Sequence, residues 1–451
     1  MVYILQLSIL MTYIFFFFII LSLSLPGCGS GGGGVSSNAS PDVESPFTAR
    51  LNISDTPGNS TSPIIAFDPV GGGMYVVWED DSPGHKEIYF TRTAPGGHSF
   101  ITPSSIYKSG YTSELPRIII DHNSKIHLAW LYTIGSTGTK EVLYSSSIDG
   151  GANFINPMPI SNIDNIGVSE VILSTNRFGN LLLAWIENNT LYSSRSIDGG
   201  LSFSLPKKIS QTEKATKPYA LADINGIYYI VWEDPVAGEI LLSISSQDFG
   251  LTFSAPINLS HNSGISETPV LAAYGTDVYA LWVDSTPSNR DIYIRRISNS
   301  GLSVNITSGF LADSKAPSAG IDGNTVHVVW EDHSSGNAEV MYARSSDRGV
   351  NFSGFKNLSN TATSSTKPQI SVSSGVISVM WTEAVSPSNK ELYLATSLDS
   401  GGTFSNPFNI SEDPGASEEP LMGIDTSEIA HWVWVEEIQG NNDIYHRKER
   451  Q

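Results

Sequence analysis

The sequence predicts an all-β fold: a single β-propeller of four-stranded antiparallel blades. Three observations predict it. Tryptophan recurs at a period near 50 residues, short apolar strands alternate with turn residues throughout, and no stretch keeps a helical apolar period.

Composition agrees with that class and removes others. The 451 residues set a soft expectation of about three domains of roughly 150 residues, although all-β domains often run larger as one unit. Gly 40, Pro 24, Tyr 18, Phe 18 and Trp 9 describe a turn-rich, aromatic-rich chain. Charged residues are only 16%, and 45 acids against 25 bases give a net charge of −20. So acidic a surface repels phosphate backbones and anionic headgroups, which argues against nucleic-acid partners and a basic membrane patch. The single cysteine excludes an internal disulfide framework. No Cys/His cluster has zinc-ligand spacing, so neither metal nor cofactor is expected.

The first element is an address. Val2 to Leu25 hold no charge and include Tyr13-Ile-Phe-Phe-Phe-Phe-Ile-Ile-Leu21, the core of a signal peptide or a membrane span. Leu25-Pro26-Gly27-Cys28 and a glycine-rich run follow. This resembles a bacterial lipoprotein signal, in which cleavage before the cysteine leaves a thiol for lipid attachment. Pro26 and the absence of Lys or Arg from Met1 to Met11 depart from that pattern, and an uncleaved anchor or ordinary secretory signal is the alternative. The expected division is 1–27 signal, 28–46 flexible tether and 47–451 propeller, exported and lipid-anchored to the cell envelope as a monomer.

The repeat comes next. Trp78, Trp130, Trp185, Trp232, Trp282, Trp330, Trp381 and Trp434 each close an apolar strand, at spacings of 52, 55, 47, 50, 48, 51 and 53 residues. The fourth copy shows the unit: Pro218 to Ala222, Gly226 to Asp234, Glu239 to Ile244 and Phe253 to Ser260 read as four strands, the content of a propeller blade. The last copy stops after its third strand, Asp443 to Glu449. Phe47-Thr-Ala-Arg-Leu-Asn-Ile-Ser54 matches Phe404-Ser-Asn-Pro-Phe-Asn-Ile-Ser411, so the N-terminal strand is expected to complete that blade and close the ring. Eight blades follow, or seven if the short fifth or irregular third copy is absorbed elsewhere.

A second motif lies between strands three and four. It reads Ser147-Ile-Asp149-Gly-Gly151-Ala-Asn-Phe154 in copy two and recurs around Asp198, Asp248, Asp347 and Asp399; copy one has Pro95 in place of the Asp, and copy five has lost it. The motif is similar to the Asp-box of the sialidase-like BNR repeat, and the resemblance covers roughly residues 47 to 451. The five aspartates are expected to be structural: the carboxylate caps N–H groups of its own hairpin and the glycine supplies a positive φ. The resemblance also implies that these turns lie away from the active face. The sequons at Asn52, Asn258, Asn357 and Asn409 all fall at the end of strand four and read as parts of the repeat.

Antiparallel alternation puts the ends of second strands and the starts of first strands together on the opposite side. Glu79, Asp80, Asp234, Asp284 and Asp332 come from the former, and Glu114, Lys217, Glu267, Lys315, Lys367 and Glu418 from the latter. Arg117 alone of twelve arginines is placed on an inner strand. The expectation is an acidic channel mouth with interleaved lysines, either a solvated rim or structural bonds between adjacent blades, or else a ligand site for sugar hydroxyls, amines or a cation, with a neutral glycan or a protein as the partner. A sialidase, as the resemblance implies, needs three arginines for the substrate carboxylate, a Tyr–Glu pair and an acidic Asp. Its Arg-Ile-Pro motif is met here only by Pro116-Arg117-Ile118, in reversed order. No catalytic residue is therefore assigned. A glycan-binding or protein-binding scaffold is expected, with a glycoside hydrolase or sialidase-like enzyme using rim carboxylates as the alternative.

Overall fold

Each repeat folds into one four-stranded antiparallel sheet, and eight such sheets stand in a ring. The structure is a computed structural model. It describes residues 47–450 apart from 95–96, 98, 136–137, 162–165, 246, 287, 300 and 413–414. The apolar N-terminal run, Cys28 and the tether lie outside the described residues.

Blade 1 shows how the repeat becomes a blade. The inner strand Ser60–Phe67 pairs with Met74–Asp80, which pairs with Glu87–Arg92, and the outer strand is the two-residue Ser104–Ser105. All seven residues of Met74–Asp80 are buried, because this strand meets neighbouring blades on both faces. Later blades start at Ser113–Ile120, Val168–Thr175, Thr216–Ala222, Ser266–Tyr274, Ser314–Asp322, Ser365–Ser373 and Ala416–Ile424. The third and fifth copies both make full blades, which excludes a seven-bladed ring.

The outer strands are shorter than the sequence suggests. In blade 4 only Ile257–Asn258 pairs, not Phe253 through Ser260. Phe253 makes an isolated bridge to Ser245, and Pro256 before Ile257 has no N–H to donate.

The ring closes as predicted. Leu51–Asn52 pairs with Asn441–Lys448, Leu51 opposite His446 and Asn52 opposite Tyr445, and Phe47 bridges Glu449. Two locks of the repeat are rebuilt across this break. Asn52 Oδ1 accepts the N–H groups of Ser54 and Asp55 at 3.1 and 2.9 Å, as Asn409 accepts those of Ser411 and Glu412 at 3.1 and 2.9 Å. Ser54 Oγ donates to Asp443 at 2.9 Å, where Ser411 and Ser359 each donate to Glu391 and Glu339 at 2.5 Å. The N-x-S sequence is therefore a strand-end lock.

The core lies between blades, and all nine tryptophans are fully buried there. The Ser-x-Asp-x-Gly turns interlock the blades at one face. Ser196 Oγ donates to Asp198 at 2.7 Å and accepts the Gly200 N–H at 2.8 Å, while Asp198 accepts the Ser202 N–H at 3.0 Å. Gly200 sits at φ +85 so close to the Tyr144 hydroxyl of blade 2 that any Cβ would overlap it. Phe203 then meets the same ring edge-on at 4.8 Å. Such bonds hold the carboxyls of Asp149, Asp347 and Asp399 down at about 2; at Asp198 they outweigh burial and reach the same value.

Candidate functional site

The opposite face surrounds the mouth of the central channel, where the inner strands begin. Seven of them begin on a bulge at an X–Pro step, marked by a register shift such as that between Glu114 and Arg117. Ser62, Leu115, Lys217, Thr268, Ala316, Lys367 and Glu419 precede those prolines at φ between 46 and 54. A non-glycine residue at such φ costs roughly 1–3 kcal/mol. The neighbouring blade compensates at five seams by offering a carboxylate to the exposed N–H. Glu79 takes that of Leu115 at 2.8 Å, Glu170 that of Lys217 at 3.1 Å, Glu331 that of Lys367 at 2.6 Å and Glu419 that of Ser62 at 2.8 Å. Glu233 takes that of Thr268.

The strand-end aspartates are turned inward. Asp80, Asp234, Asp284 and Asp332 are buried. Trp78 and Trp282 donate their indole N–H groups to Asp80 and Asp284 at 3.4 and 3.2 Å, and Ser60 and Ser266 donate to the same carboxylates at 2.8 Å. Ser314 donates to Asp332 at 3.1 Å and Thr212 to Asp234 at 2.9 Å. Burial would raise the Asp80 carboxyl, but hydrogen bonds from Ser82, Thr56 and Ser60 outweigh it and hold it below the ordinary range. Asp80, Asp284 and Asp332 thereby fasten the first strand of their blade to the second, and Asp234 fastens the turn that leads into blade 4.

Glu79, Glu114, Glu267 and Glu418 do reach the mouth, and each meets a cation at the start of a third strand. Lys86 bonds Glu79 at 2.7 Å, Arg290 bonds Glu267 at 2.6 Å, and Lys140 and Lys390 pair with Glu114 and Glu418. Lys217 pairs with Glu233 at 3.1 Å and Lys315 with Asp313 at 3.2 Å. Six carboxylates of this face are thus paired with cations, so it offers less negative charge than a count of its acids suggests. Lys86, Lys140, Arg290 and Lys390 escaped the sequence reading because it followed only the two inner strands. The signal was a Lys or Arg within one residue of the third-strand start in blades 1, 2, 5 and 7.

A cavity of about 360 Å³ opens here. Pro63, Pro317, Pro368 and Pro420 line it with Val270 and Leu421, and Thr268, Lys367, Gln369 and Glu419 supply its polar groups. Arg117 lies on the inner strand as expected; burial lowers its pKa, and the nearby carboxylates of Glu170 and Glu79 offset part of that effect. Other arginines serve the opposite side: Arg195 and Arg344 donate to the carbonyls of Asp248 and Ser400 in the turn of the next blade.

The resolved carboxylate shifts at this face run downward. Glu418 is lowered first by its bond from Lys390, and Asp313 first by the Arg290 N–H. A general acid working near neutral pH needs the opposite shift.

No family model matches the sequence, and no curated protein matches it. Among solved structures, a puromycin hydrolase mutant complexed with PGG is similar with a TM-score of 0.51 at 10% identity, over 85% of this chain and 59% of that one. An ulvan lyase bound to a sulfated glucuronate–rhamnose ligand gives 0.48 at 11% identity, over 78% and 96%. The intramolecular trans-sialidase from Ruminococcus gnavus gives 0.40 at 10% identity, over 88% and 96%. The likeness is one of fold.

Proposed function

We propose that this chain is a non-catalytic binding propeller of the bacterial cell envelope, held by a lipid on Cys28 and presenting its channel mouth to a glycan. The observation that carries the reading is the state of the mouth carboxylates. Asp80, Asp234, Asp284 and Asp332 bond inside their own blades, and Glu79, Glu114, Glu267 and Glu418 are paired with cations. That arrangement leaves a rigid, proline-floored cavity edged by Lys367, Gln369 and Glu419, suited to hydroxyl recognition. The similarity of the Ser-x-Asp-x-Gly turns to the BNR Asp-box supports a glycan over other ligands.

A glycan array probed with the purified protein tests this. Binding should fall at least tenfold on Lys367→Ala or Gln369→Ala. Retention of every glycan signal in both variants would remove the mouth from the reading, and no signal in the wild type would remove the glycan. A fluorogenic sialoside should remain uncleaved, since Arg117 stands without the two further arginines on inner strands that a carboxylate clamp requires. Turnover lost on Arg117→Ala would restore the enzyme.

A further inference from the structure

Three of the seams at the mouth use the same device. Glu79, Glu233 and Glu331 each stand one residue after a blade tryptophan and cross to the N–H of the strained pre-proline residue in the next blade. Around Glu79 the socket is complete: the Leu115 N–H at 2.8 Å and the Lys86 ammonium at 2.7 Å grip one carboxylate from two sides.

Between blades 7 and 8 the socket is built without its carboxylate. The residue one after Trp381 is Thr382, opposite Thr366 in the ladder as Glu79 is opposite Thr61. The receiving groups are still present. Glu419 precedes Pro420 at φ 51, and no side chain among the described residues accepts its N–H. Lys390 enters the third strand of blade 7 where Lys86 enters that of blade 1, and both side chains are 47% exposed. Thr382 is 3% exposed, and its hydroxyl has no partner among the described residues. A threonine hydroxyl is two carbons short of where a glutamate at this position ends.

We infer that this seam binds a ligand carboxylate, entering from the mouth cavity that Glu419 and Pro420 line. One carboxylate oxygen would accept the Glu419 N–H and the other the Thr382 hydroxyl, with the Lys390 ammonium shared between the ligand and Glu418. The expectation of a neutral ligand rested on an acidic mouth, and the ion pairs remove that ground. The inference rests on the mouth being the binding face; on a glycan the group is a uronate, and on a small metabolite an aliphatic acid.

The test is titration of the full-length protein with galacturonate against galactose and with propionate against propanol, read by ligand-observed NMR. Each acid should bind at least tenfold more tightly than its neutral parent. Binding by galacturonate alone assigns a sugar carboxylate, and equal binding of both acids assigns the carboxylate group itself. Thr382→Glu fills the socket from within, so it should abolish the acid preference and raise Tm without ligand. If that variant fails to fold, Thr382→Val removes one donor and should weaken the acids several-fold while leaving the neutral parents unchanged. Acids that bind no better than their parents, or an acid preference untouched by these substitutions, would overturn the socket. Neutral glycans still bound on the array would then leave the function standing, whereas acids bound here with an empty array would defeat the glycan reading alone.

Discussion

Replacing Ile53 by alanine tests whether the N-terminal strand belongs to the ring. Ile53 is 3% exposed and packs among Met74, Val76 and Trp78 of blade 1 and Val433, Val435 and Ile444 of blade 8. One side chain thus joins the first blade of the chain to the last. Truncating a buried isoleucine to alanine costs about 2–5 kcal/mol, the upper part of that range where rigid walls prevent collapse. The walls here are paired strands on both sides, so about 3–4 kcal/mol is expected. Ile410 holds the same place in the outer strand of blade 7, is fully buried, and follows an unbroken chain. Ile410→Ala is therefore the matched control. Urea melts of both variants should show losses within about 1 kcal/mol of each other, since the same methylenes leave equivalent sites. A loss below about 0.5 kcal/mol for Ile53→Ala, beside a full loss for Ile410→Ala, would mean that the N-terminal strand contributes nothing to the ring and would refute the closure.

The other predictions concern the turns, the histidines and the anchor. Gly200→Ala should cost more than about 2 kcal/mol in thermal or urea melts, because its Cβ overlaps the Tyr144 hydroxyl, whereas Gly199→Ala, at φ +66 with open space around it, should cost about 1 kcal/mol. Stability should fall below about pH 6.5: burial, with Arg344 adding to it, lowers His327 to about 4, and burial lowers His127, His431 and His446. A histidine depressed in the folded state costs nothing above its unfolded pKa of about 6.5, and destabilises progressively as pH falls and the unfolded chain takes the proton first. The gap down to about 4 caps the His327 contribution at about 3 kcal/mol, and His327→Gln should flatten the melt-versus-pH curve between pH 6.5 and 4. Cys28→Ser should move the protein out of the detergent phase; unchanged partitioning would exclude the lipid.

Blade number and closure were legible because they depend on features the chain repeats. The tryptophan period and the Phe47-to-Ser54 copy of Phe404 to Ser411 survive even where the turn motif is lost, as in blade 5. The short outer strands were not legible. Their apolar pattern runs on through Phe253, but ladder pairing needs N–H groups that Pro256 cannot supply. Charge at the mouth was only half legible, since residue type gives the sign of a side chain but not the length of its reach across a seam.

The decisive variable at this face is a shift of one position. An acid two residues after the tryptophan returns to its own blade, taking the indole N–H in Asp80, Glu187, Asp284, Glu383 and Glu436. An acid one residue after it leaves for the next blade, because side chains alternate faces along a strand. The first kind fastens a sheet and the second fastens the ring, so a count of acids at strand ends misjudges the charge offered to a ligand. The same alternation explains why Thr382 matters. At that position apolar Leu131, Ile186, Val283 and Val435 simply fill their seams, each 5% exposed or less. Threonine brings a hydroxyl to a place where the fold either extends a carboxylate across the seam or buries an apolar side chain.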